Sequence, residues 1–481
     1  MRNTPARSAA IAALALVCSA GLVACDGPAN DSGRAAIETR IVPAITIAGD
    51  DYSSYDLEAR LVAYDVPAAS IAVVRNGRIA WAAAYGGEAD TGTLFQAASL
   101  SKAVAAAGVL ALARERGFDI DADLTGQLGG FDLTAVNPDA RPVSLRALLS
   151  HTAGATSHGF FGYAAGAPIP DTLQVVTGSE PSNSPQVEIR FDPDNPWRYS
   201  GGGFEIAQLW AEQASGEDFA PLMQRLVLDP VGMDASSFAV RLHDDQPESE
   251  IARGYGYDGE PVEGGWRIHP ELAAAGLWTT PSDYARFLIA LMAAADGETG
   301  RGIEPQIARL MTTAIANGYG LGIGTSLRMG ERRLEHGGGN EGYRCTQFAL
   351  PERGDAMVIM TNGNNAGNLL ADITRTAELA YDWPHEPART ETRLELGEAE
   401  LTAFTGDYAV DGEEGAVLHL EVWDRDLLGV FYGRIHFRLV PIGVNRFIDP
   451  VDGEVFTFTE ASGMMVASDG SHDFTRLPGR H

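Results

Sequence analysis

The segment Phe95-Gln96-Ala97-Ala98-Ser99-Leu100-Ser101-Lys102 leads directly into an apolar run, and this stretch decides the fold of the chain. Every residue from Ala103 to Ala113 is Ala, Val, Leu or Gly. A helix without a polar face is buried on all sides, so the run predicts a helix in the centre of a core. The charged turn and the glycine at Arg114–Gly117 predict where that helix ends.

The spacing of Ser99 and Lys102 places two reactive side chains together. Residues three apart share one face of a helix, so the hydroxyl and the amine are predicted to be neighbours. Lys102 is the only lysine of the chain, and all the other basic residues except the histidines are arginines. An arginine keeps its proton inside a protein, whereas a lysine can release it. We interpret Lys102 as a base that activates Ser99 as a nucleophile. The alternative is a surface lysine, which the positive end of the helix dipole disfavours.

The composition excludes several classes of protein. With 481 residues, of which 45% are apolar and 21% charged, the chain is long enough for two or three folded domains. The net charge of −30 disfavours nucleic acid and anionic membrane surfaces as partners. Cysteines and histidines form no ligand pattern, so we expect no metal and no cofactor. The glycine-rich run Gly320–Gly324 precedes strand-like residues instead of a helix, which excludes a dinucleotide-binding loop.

The order of the predicted elements indicates an α+β domain over residues 46–384. A hairpin is predicted at Ser70–Ala83 because Asn76-Gly77 separates two apolar runs. Helices dominate the middle of the chain, and one of them is predicted to begin at Thr280-Pro281-Ser282-Asp283. Further strands are predicted at Gly320–Leu327, Arg332–His336, Tyr343–Leu350 and Ala356–Thr361. The pattern predicts one antiparallel sheet assembled from both ends of the domain and flanked by helices, with an all-helical region inserted.

The last part of the chain forms a second predicted domain. Residues 385–397 are charged and contain proline, which is typical of a linker. Residues 398–481 contain short alternating runs at close spacing, which predict a small all-β barrel or sandwich.

Five segments occur in an order that resembles a known family, the serine β-lactamase and penicillin-binding-protein-like hydrolases. These segments are Phe95–Lys102, Leu148–Gly154, Arg198–Gly203, Ala275–Asp283 and His336–Gly339. The resemblance covers roughly residues 55–382 and is greatest to the class C β-lactamase branch, which includes family VIII carboxylesterases, D-aminopeptidases and D-Ala-D-Ala carboxypeptidases. It implies the β-lactamase and DD-peptidase fold. Residues 398–481 resemble the lipocalin-like appendage of some members.

The resemblance implies a role for each site residue. Ser99 would be the nucleophile, and Lys102 would share the base role with Tyr199. Because three glycines follow Tyr199, we expect its backbone to lie exposed at a cleft, whereas the alternative is an ordinary tyrosine of the core or of a turn. His336 corresponds to a cationic residue that positions substrate. The oxyanion hole would consist of the backbone N–H groups of Ser99 and Gly339. Further candidate substrate-binding positions are Gly338, Gly201 and Asn340, while His151 and His158 are interpreted as structural.

Two departures from the family pattern bear on the substrate. Gly201 stands where the family has an asparagine that holds an acylamide carbonyl, and His336 stands where it often has lysine. Histidine is mostly neutral at pH 7. Both changes argue against efficient β-lactam hydrolysis, although Arg344 could replace part of the lost charge and Glu341 could attract an amine. We therefore expect a hydrolase that acts through an acyl-enzyme on an ester or amide of a small molecule or peptide. It could be an esterase or amidase, a D-aminopeptidase, a carboxypeptidase or a weak β-lactamase. The alternative is a degenerate member that only binds cell-wall fragments or protein.

The N-terminus has the features of an export signal. Arg2 and Arg7 precede the apolar run Ala9–Ala20, which is too short to span a bilayer. The sequence Leu22-Val23-Ala24-Cys25 resembles a lipoprotein cleavage site. We predict a signal peptide over residues 1–24, a lipid on Cys25 and a tether over residues 25–45. An ordinary signal peptide that happens to contain cysteine is the alternative. The expected location is the periplasmic side of a bacterial membrane, reached only through the anchor.

The anchor can be tested by phase partitioning. Wild-type protein expressed in a bacterium that processes lipoproteins should enter the detergent phase, because an acyl chain binds it to lipid. The Cys25→Ser variant should stay in the aqueous phase or accumulate unprocessed. A wild-type protein that is fully aqueous, with its N-terminus elsewhere than Cys25, would contradict the prediction.

Overall fold

A computed structural model describes most of the chain. The described residues are 31–43, 45–50, 55–87, 89–242, 250–385, 387, 389–410, 417–431, 435–450, 453–459, 462–467 and 470–478. The predicted signal peptide and Cys25 lie outside them. Within the described ranges, no helix combines the length and the apolar character needed to cross a membrane.

One six-stranded sheet organises the larger domain. The strands before the barrel are β1 Ile45–Ile47, β2 Ala69–Arg75, β3 Arg78–Tyr85, β4 Phe95–Gln96, β5 Trp278–Thr279, β6 Gly324–Arg328, β7 Glu331–Asn340, β8 Tyr343–Leu350, β9 Asp355–Thr361 and β10 Arg389–Glu391. The sheet has the order β3-β2-β9-β8-β7-β6, and all its neighbours are antiparallel. The predicted antiparallel sheet assembled from both ends of the domain is therefore confirmed.

Helices cover both faces of this sheet. They are α1 Ser32–Thr39, α2 Leu57–Ala63, α3 Ser101–Glu115, α4 Leu145–Leu149, α5 Thr172–Thr177, α6 Gly201–Ser215, α7 Phe219–Met223, α8 Asp229–Val231, α9 Leu272–Ala275, α10 Pro281–Ala295, α11 Pro305–Thr312, α12 Gly367–Ala380 and, beside the barrel, α13 Glu398–Thr402. Alternate residues of β2 point to opposite faces. Ala72 and Val74 join the core that contains α3 and α10, whereas Ile71 and Val73 join the core that contains α1, α2 and α12.

Helix α3 is buried as its sequence predicts. Every residue from Ser101 to Leu110 is buried, and the helix ends in the charged turn at Glu115. The glycine-rich run before β6 packs against the start of this helix. Gly322 has φ of 84°, and a Cβ there would lie 2.7 Å from the Lys102 carbonyl oxygen. Only glycine fits this approach, which explains why β6 begins at Gly324 instead of Gly320.

Helix α6 begins at Gly201, earlier than the helix Glu205–Ala214 that the sequence pattern predicts. The three glycines after Ser200 form its first turn and are buried. Ser200 caps the helix, because its Oγ accepts a hydrogen bond of 2.9 Å from the Gly203 amide. A Cβ on Gly202 would lie 2.5 Å from the Thr156 carbonyl oxygen. The glycines therefore allow a helix end to pack against backbone, which outweighs their low helix propensity.

Two segments predicted to be irregular contain ordered elements. Within the predicted tether, α1 packs on α12 and buries Ile37 completely. Its cap, Asp31, accepts a 2.6 Å hydrogen bond from the Tyr381 hydroxyl. Within the predicted linker, β10 pairs in parallel with β1. Apolar side chains spaced through a polar stretch explain both elements, since burial of Ile37, Ile45 and Ile47 favours order.

The C-terminal domain is a closed barrel of eight antiparallel strands, as the all-β prediction requires. Its strands are β11 Gly406–Val410, β12 Val417–Trp423, β13 Asp426–Phe431, β14 Ile435–Gly443, β15 Arg446–Ile448, β16 Val455–Phe458, β17 Ser462–Ala467 and β18 Gly470–Arg476. A buried ion network joins the barrel to the segments around β1 and β10. Arg393 bonds both Asp50, at 2.7 Å, and Asp426, at 3.0 Å. Closure of the barrel leaves its strands without a free edge.

Candidate active site

The predicted site residues line one cleft between the sheet and the helical region. The cleft has a volume of about 580 Å³. It is lined by Ser99, Lys102, His158, Gly159, Phe160, Tyr199, Ala274, Ala275, His336, Gly337, Gly338, Gly339, Asn340 and Arg344. Of the residues predicted to act on substrate, Gly201 and Glu341 are outside this lining.

Ser99 and Lys102 make the contact that their spacing predicts. Ser99 lies in a short 3₁₀ turn, Ala98–Leu100, directly before α3. Lys102 Nζ donates to Ser99 Oγ over 3.1 Å and to the Ala274 carbonyl oxygen over 2.8 Å. Ala98 has φ of 47°, a conformation that costs energy for any residue with a side chain. Such local strain is typical of functional sites.

Hydrogen bonds to side chains of α6 fix the backbone segment whose carbonyl group anchors Lys102. Ala274 belongs to the short helix α9, whose amide groups reach side chains of α6. The Ala273 amide donates to Gln208 Oε1 over 2.8 Å, and the Ala274 amide donates to Glu205 Oε1 over 3.2 Å. Glu205 is completely buried. Its pKa is raised well above the usual range by burial and by the nearby Glu271, which favours the neutral acid.

Tyr199 and His336 face the lysine across the cleft. The Tyr199 ring centroid lies 5.0 Å from Lys102 Nζ and 5.9 Å from the His336 ring. His336 Nδ1 is 2.6 Å from the Gly337 carbonyl oxygen, so this nitrogen must carry the hydrogen. Burial and Lys102 lower the pKa of His336 to about 4. In the neutral ring, Nε2 therefore accepts a hydrogen bond of 3.0 Å from the Tyr319 hydroxyl.

The glycines of β7 bring this strand close to Ser99. A Cβ on Gly338 would lie 2.5 Å from Cys345 Sγ and 2.7 Å from the Ala97 carbonyl oxygen. Asn340 ties the end of the strand to the segment before Ser99, because its Nδ2 donates to Gln96 Oε1 over 2.7 Å. Pairing of β6 with β7 stops at Glu335. The edge of β7 from residue 336 onward therefore borders the cleft.

Comparison with known proteins identifies the family. The family described as Beta-lactamase matches residues 56–381, which is more than half of the chain. The chain belongs to the beta-lactamase family. Penicillin-binding protein 4* of Bacillus subtilis (strain 168) is 24% identical over 424 residues, covering 80% of this chain and 87% of that protein. Esterase EstB of Burkholderia gladioli is 28% identical over 200 residues, covering 37% of this chain and 50% of that protein.

A solved structure shares the fold of this beta-lactamase family member. The octameric penicillin-binding protein homologue from Pyrococcus abyssi matches with a TM-score of 0.58 and 18% identity, over 86% of this chain and 97% of that chain. The predicted family and its fold are thereby confirmed. At this level of identity the similarity concerns the fold alone.

The histidines of this beta-lactamase family protein differ in part from their predicted roles. His151 is buried, and its Nδ1 accepts a hydrogen bond of 3.1 Å from the Ser200 amide, which is a structural role as predicted. Burial and Lys102 lower its pKa well below the usual range. His158, which we interpreted as structural, lines the cleft with its ring 4.9 Å from that of Tyr199. A lone histidine in a loop carries no pattern that distinguishes these roles.

Three further positions have surroundings that the sequence does not reveal. Gly201 lies in the first turn of α6, where its amide donates to the His158 carbonyl oxygen over 3.1 Å, so it supports the wall of the cleft from behind. Glu341 is paired with Arg267 at 2.6 Å, and this pair already balances its charge. Arg344 does line the cleft, and its guanidinium donates to the Asn340 and Tyr343 carbonyl oxygens and to the Tyr257 hydroxyl.

Glu205 should act as a positioning residue for Lys102. The Glu205→Leu variant removes the acceptor of the Ala274 amide, so it should lower kcat at least about tenfold with a smaller change in KM, because a displaced base is a defect of the transition state. Glu205→Gln keeps an acceptor and should retain most activity. Gln213→Leu is the matched control, since Gln213 bonds Gly129 from the same helix. Equal losses in Glu205→Leu and Gln213→Leu would indicate a purely structural role.

Proposed function

We propose that this protein is a serine hydrolase that cleaves esters or amides of small acyl compounds through an acyl-enzyme on Ser99. The contact between Lys102 Nζ and Ser99 Oγ carries this proposal. A buried amine that touches a hydroxyl can accept its proton, which makes the oxygen nucleophilic. The membership of the family, and the esterase among the relatives, support hydrolysis as the reaction.

The proposed reaction has two stages. Ser99 Oγ attacks the substrate carbonyl carbon while its proton passes to Lys102, and the tetrahedral intermediate then expels the alcohol or amine, which receives a proton. Water attacks the resulting ester of Ser99, losing a proton to the base, and releases the acid and the free hydroxyl. We propose that Tyr199 shares these proton transfers with Lys102, because the Lys102 Nζ lies 5.0 Å from the centroid of the Tyr199 ring.

The substrate carbonyl would bind between Ser99 and the edge of β7. Ser99 and Gly339 both line the cleft, and their backbone N–H groups are the proposed oxyanion hole. The absence of a side chain at Gly338 and Gly339 lets a ligand approach the strand closely.

Features of the cleft favour esters over β-lactams. The position of the family asparagine is Gly201, which has no amide side chain and lies outside the cleft lining. His336 is neutral and donates to its own neighbour, so it offers no positive charge for a substrate carboxylate. Phe160, Ala274 and Ala275 add apolar surface to the wall. A short apolar acyl group fits these surroundings better than an anionic bicyclic amide.

Covalent labelling tests the acyl-enzyme directly. A fluorophosphonate probe should add once to the wild-type protein, and peptide mapping should place the adduct on Ser99. The Ser99→Ala variant should remain unlabelled and inactive, with an unchanged melting temperature. Wild-type protein that is neither labelled nor active on any ester or amide would favour the alternative, a binding protein with this fold.

The lone lysine provides a second test. Lys102→Arg keeps a positive charge and a long side chain, but arginine stays protonated at any working pH. We expect this variant to fold, as judged by circular dichroism, and to lose at least about a hundredfold of kcat/KM, within the usual range for removal of a general base. Activity near that of the wild type would show that Lys102 is not the base.

The substrate class can be tested by comparing two reactions. Short-chain aryl esters should be cleaved with a kcat/KM above that of cephalosporins, because Gly201 and His336 provide neither the amide contact nor the cation that a β-lactam needs. Initial rates on both substrate sets, with Ser99→Ala as the blank, decide the order. A β-lactam value at least tenfold above the ester value would overturn this assignment and leave the acyl-enzyme intact.

A further inference from the structure

A second cavity lies on the other face of the sheet, between α12 and the strands β6, β7 and β8. Its volume, about 580 Å³, equals that of the cleft. The wall from the strands includes Arg328, Arg333, Arg344 and Thr346, and the wall from α12 includes Thr374 and Glu378. The proposed catalytic residues Ser99, Lys102 and Tyr199 do not line this cavity.

The glycine run of β7 creates this cavity. Successive residues of a strand face opposite sides of the sheet. A Cβ on Gly338 would meet Cys345 and Ala97 on the side of Ser99, whereas a Cβ on Gly337 would find only the Cys345 carbonyl oxygen, at 3.9 Å. The missing side chain of Gly337 thus leaves open space beneath α12. Gly337, Gly338 and Arg344 line both cavities, so an occupant would lie one strand away from Ser99.

The lining is basic although the chain carries a net charge of −30. Among the described residues, the lining contains four arginines and one carboxylate, that of Glu378. Oε1 of Glu378 accepts from Arg328 over 2.9 Å and from Arg333 over 2.7 Å, and Arg333 also donates to Glu335 Oε2 over 2.8 Å. Two carboxylates thus balance the charges of Arg328 and Arg333, which leaves Arg344 as a cation available to an anionic ligand. In the described part of the chain, the partners of the Arg344 guanidinium are neutral oxygens.

We propose that this cavity binds a small molecule bearing a phosphate or carboxylate group, held by Arg328, Arg333 and Arg344. Guanidinium groups donate paired hydrogen bonds in a planar fork that matches both kinds of oxyanion. The hydrogen bonds to Glu378 and to the neutral oxygens fix the orientation of these groups before a ligand arrives, which reduces the entropy lost on binding. Leu370 and Ala371 offer an apolar surface for the rest of the molecule.

Titration calorimetry on the full-length protein tests the proposal, with inorganic phosphate and succinate as probes in a buffer of low ionic strength without competing anions. At least one probe should bind saturably at one site. Thr374→Glu places a carboxylate in the cavity and should weaken binding at least tenfold, whereas the neutral Thr374→Gln should change it less than threefold. Binding of phosphate alone or of succinate alone would identify which oxyanion the site prefers.

The matched control separates this cavity from the cleft. Gly159 lines the cleft and has open space around its Cβ position, so Gly159→Glu adds the same charge there. This variant should bind the probes as the wild type does. If Thr374→Glu fails to fold, Ala371→Glu takes its place, since Ala371 is exposed on the same wall. No saturable binding to the wild type, or loss of binding in Gly159→Glu instead of the cavity variants, would overturn the proposal.

Discussion

The burial of one lysine amine is the constraint on which the rest of the site depends. Lys102 is only 2% exposed, so its Nζ has little access to water and needs acceptors in the protein. Ser99 Oγ supplies one acceptor and the Ala274 carbonyl oxygen the other. The Ala274 carbonyl must itself be held in position. The side chains of Glu205 and Gln208 do this by accepting hydrogen bonds from backbone amides of α9. Three helices that are far apart in sequence, α3, α6 and α9, therefore contribute to the position of the Lys102 Nζ.

The glycine run of β7 has different consequences on its two faces. At Gly338 the lack of a side chain lets the strand approach the segment that carries Ser99, which brings the edge of the sheet into the cleft. At Gly337 the same lack leaves a basic cavity under α12. Adjacent residues of a strand point to opposite faces of the sheet. In a run of consecutive glycines, one glycine can therefore allow close backbone contact on one face while its neighbour leaves unfilled space on the other.

Local patterns in the sequence predicted those parts of the structure that local physics determines. The hairpin at Asn76-Gly77, the buried helix α3, the cap at Thr280 and the alternating strands of the barrel each depend on neighbours in sequence. Helix α6 could not be placed correctly because its first turn packs on Thr156, and glycine propensity alone predicts a loop. The contact of Lys102 with Ala274, which lies 172 positions away, has no local signal at all. The hydrogen bond from the Ala274 amide to Glu205 and the place of His158 in the cleft were missed for the same reason.

The charges around the cleft bear on what it can bind. Lys102 and Arg344 are the basic side chains of its lining, His336 is neutral, and none of the described residues that line it carries a carboxylate. The whole chain nevertheless carries −30, and this charge repels anions approaching from a distance. Screening confines each local charge to about 10 Å at moderate ionic strength, so Arg344 attracts an anionic group only after the ligand has entered. A neutral acyl compound is neither repelled by the net charge of the chain nor attracted by Arg344 as it approaches. Binding of such a compound then depends on shape and on the hydrogen bonds at the edge of β7, which is the reason for proposing uncharged esters as substrates.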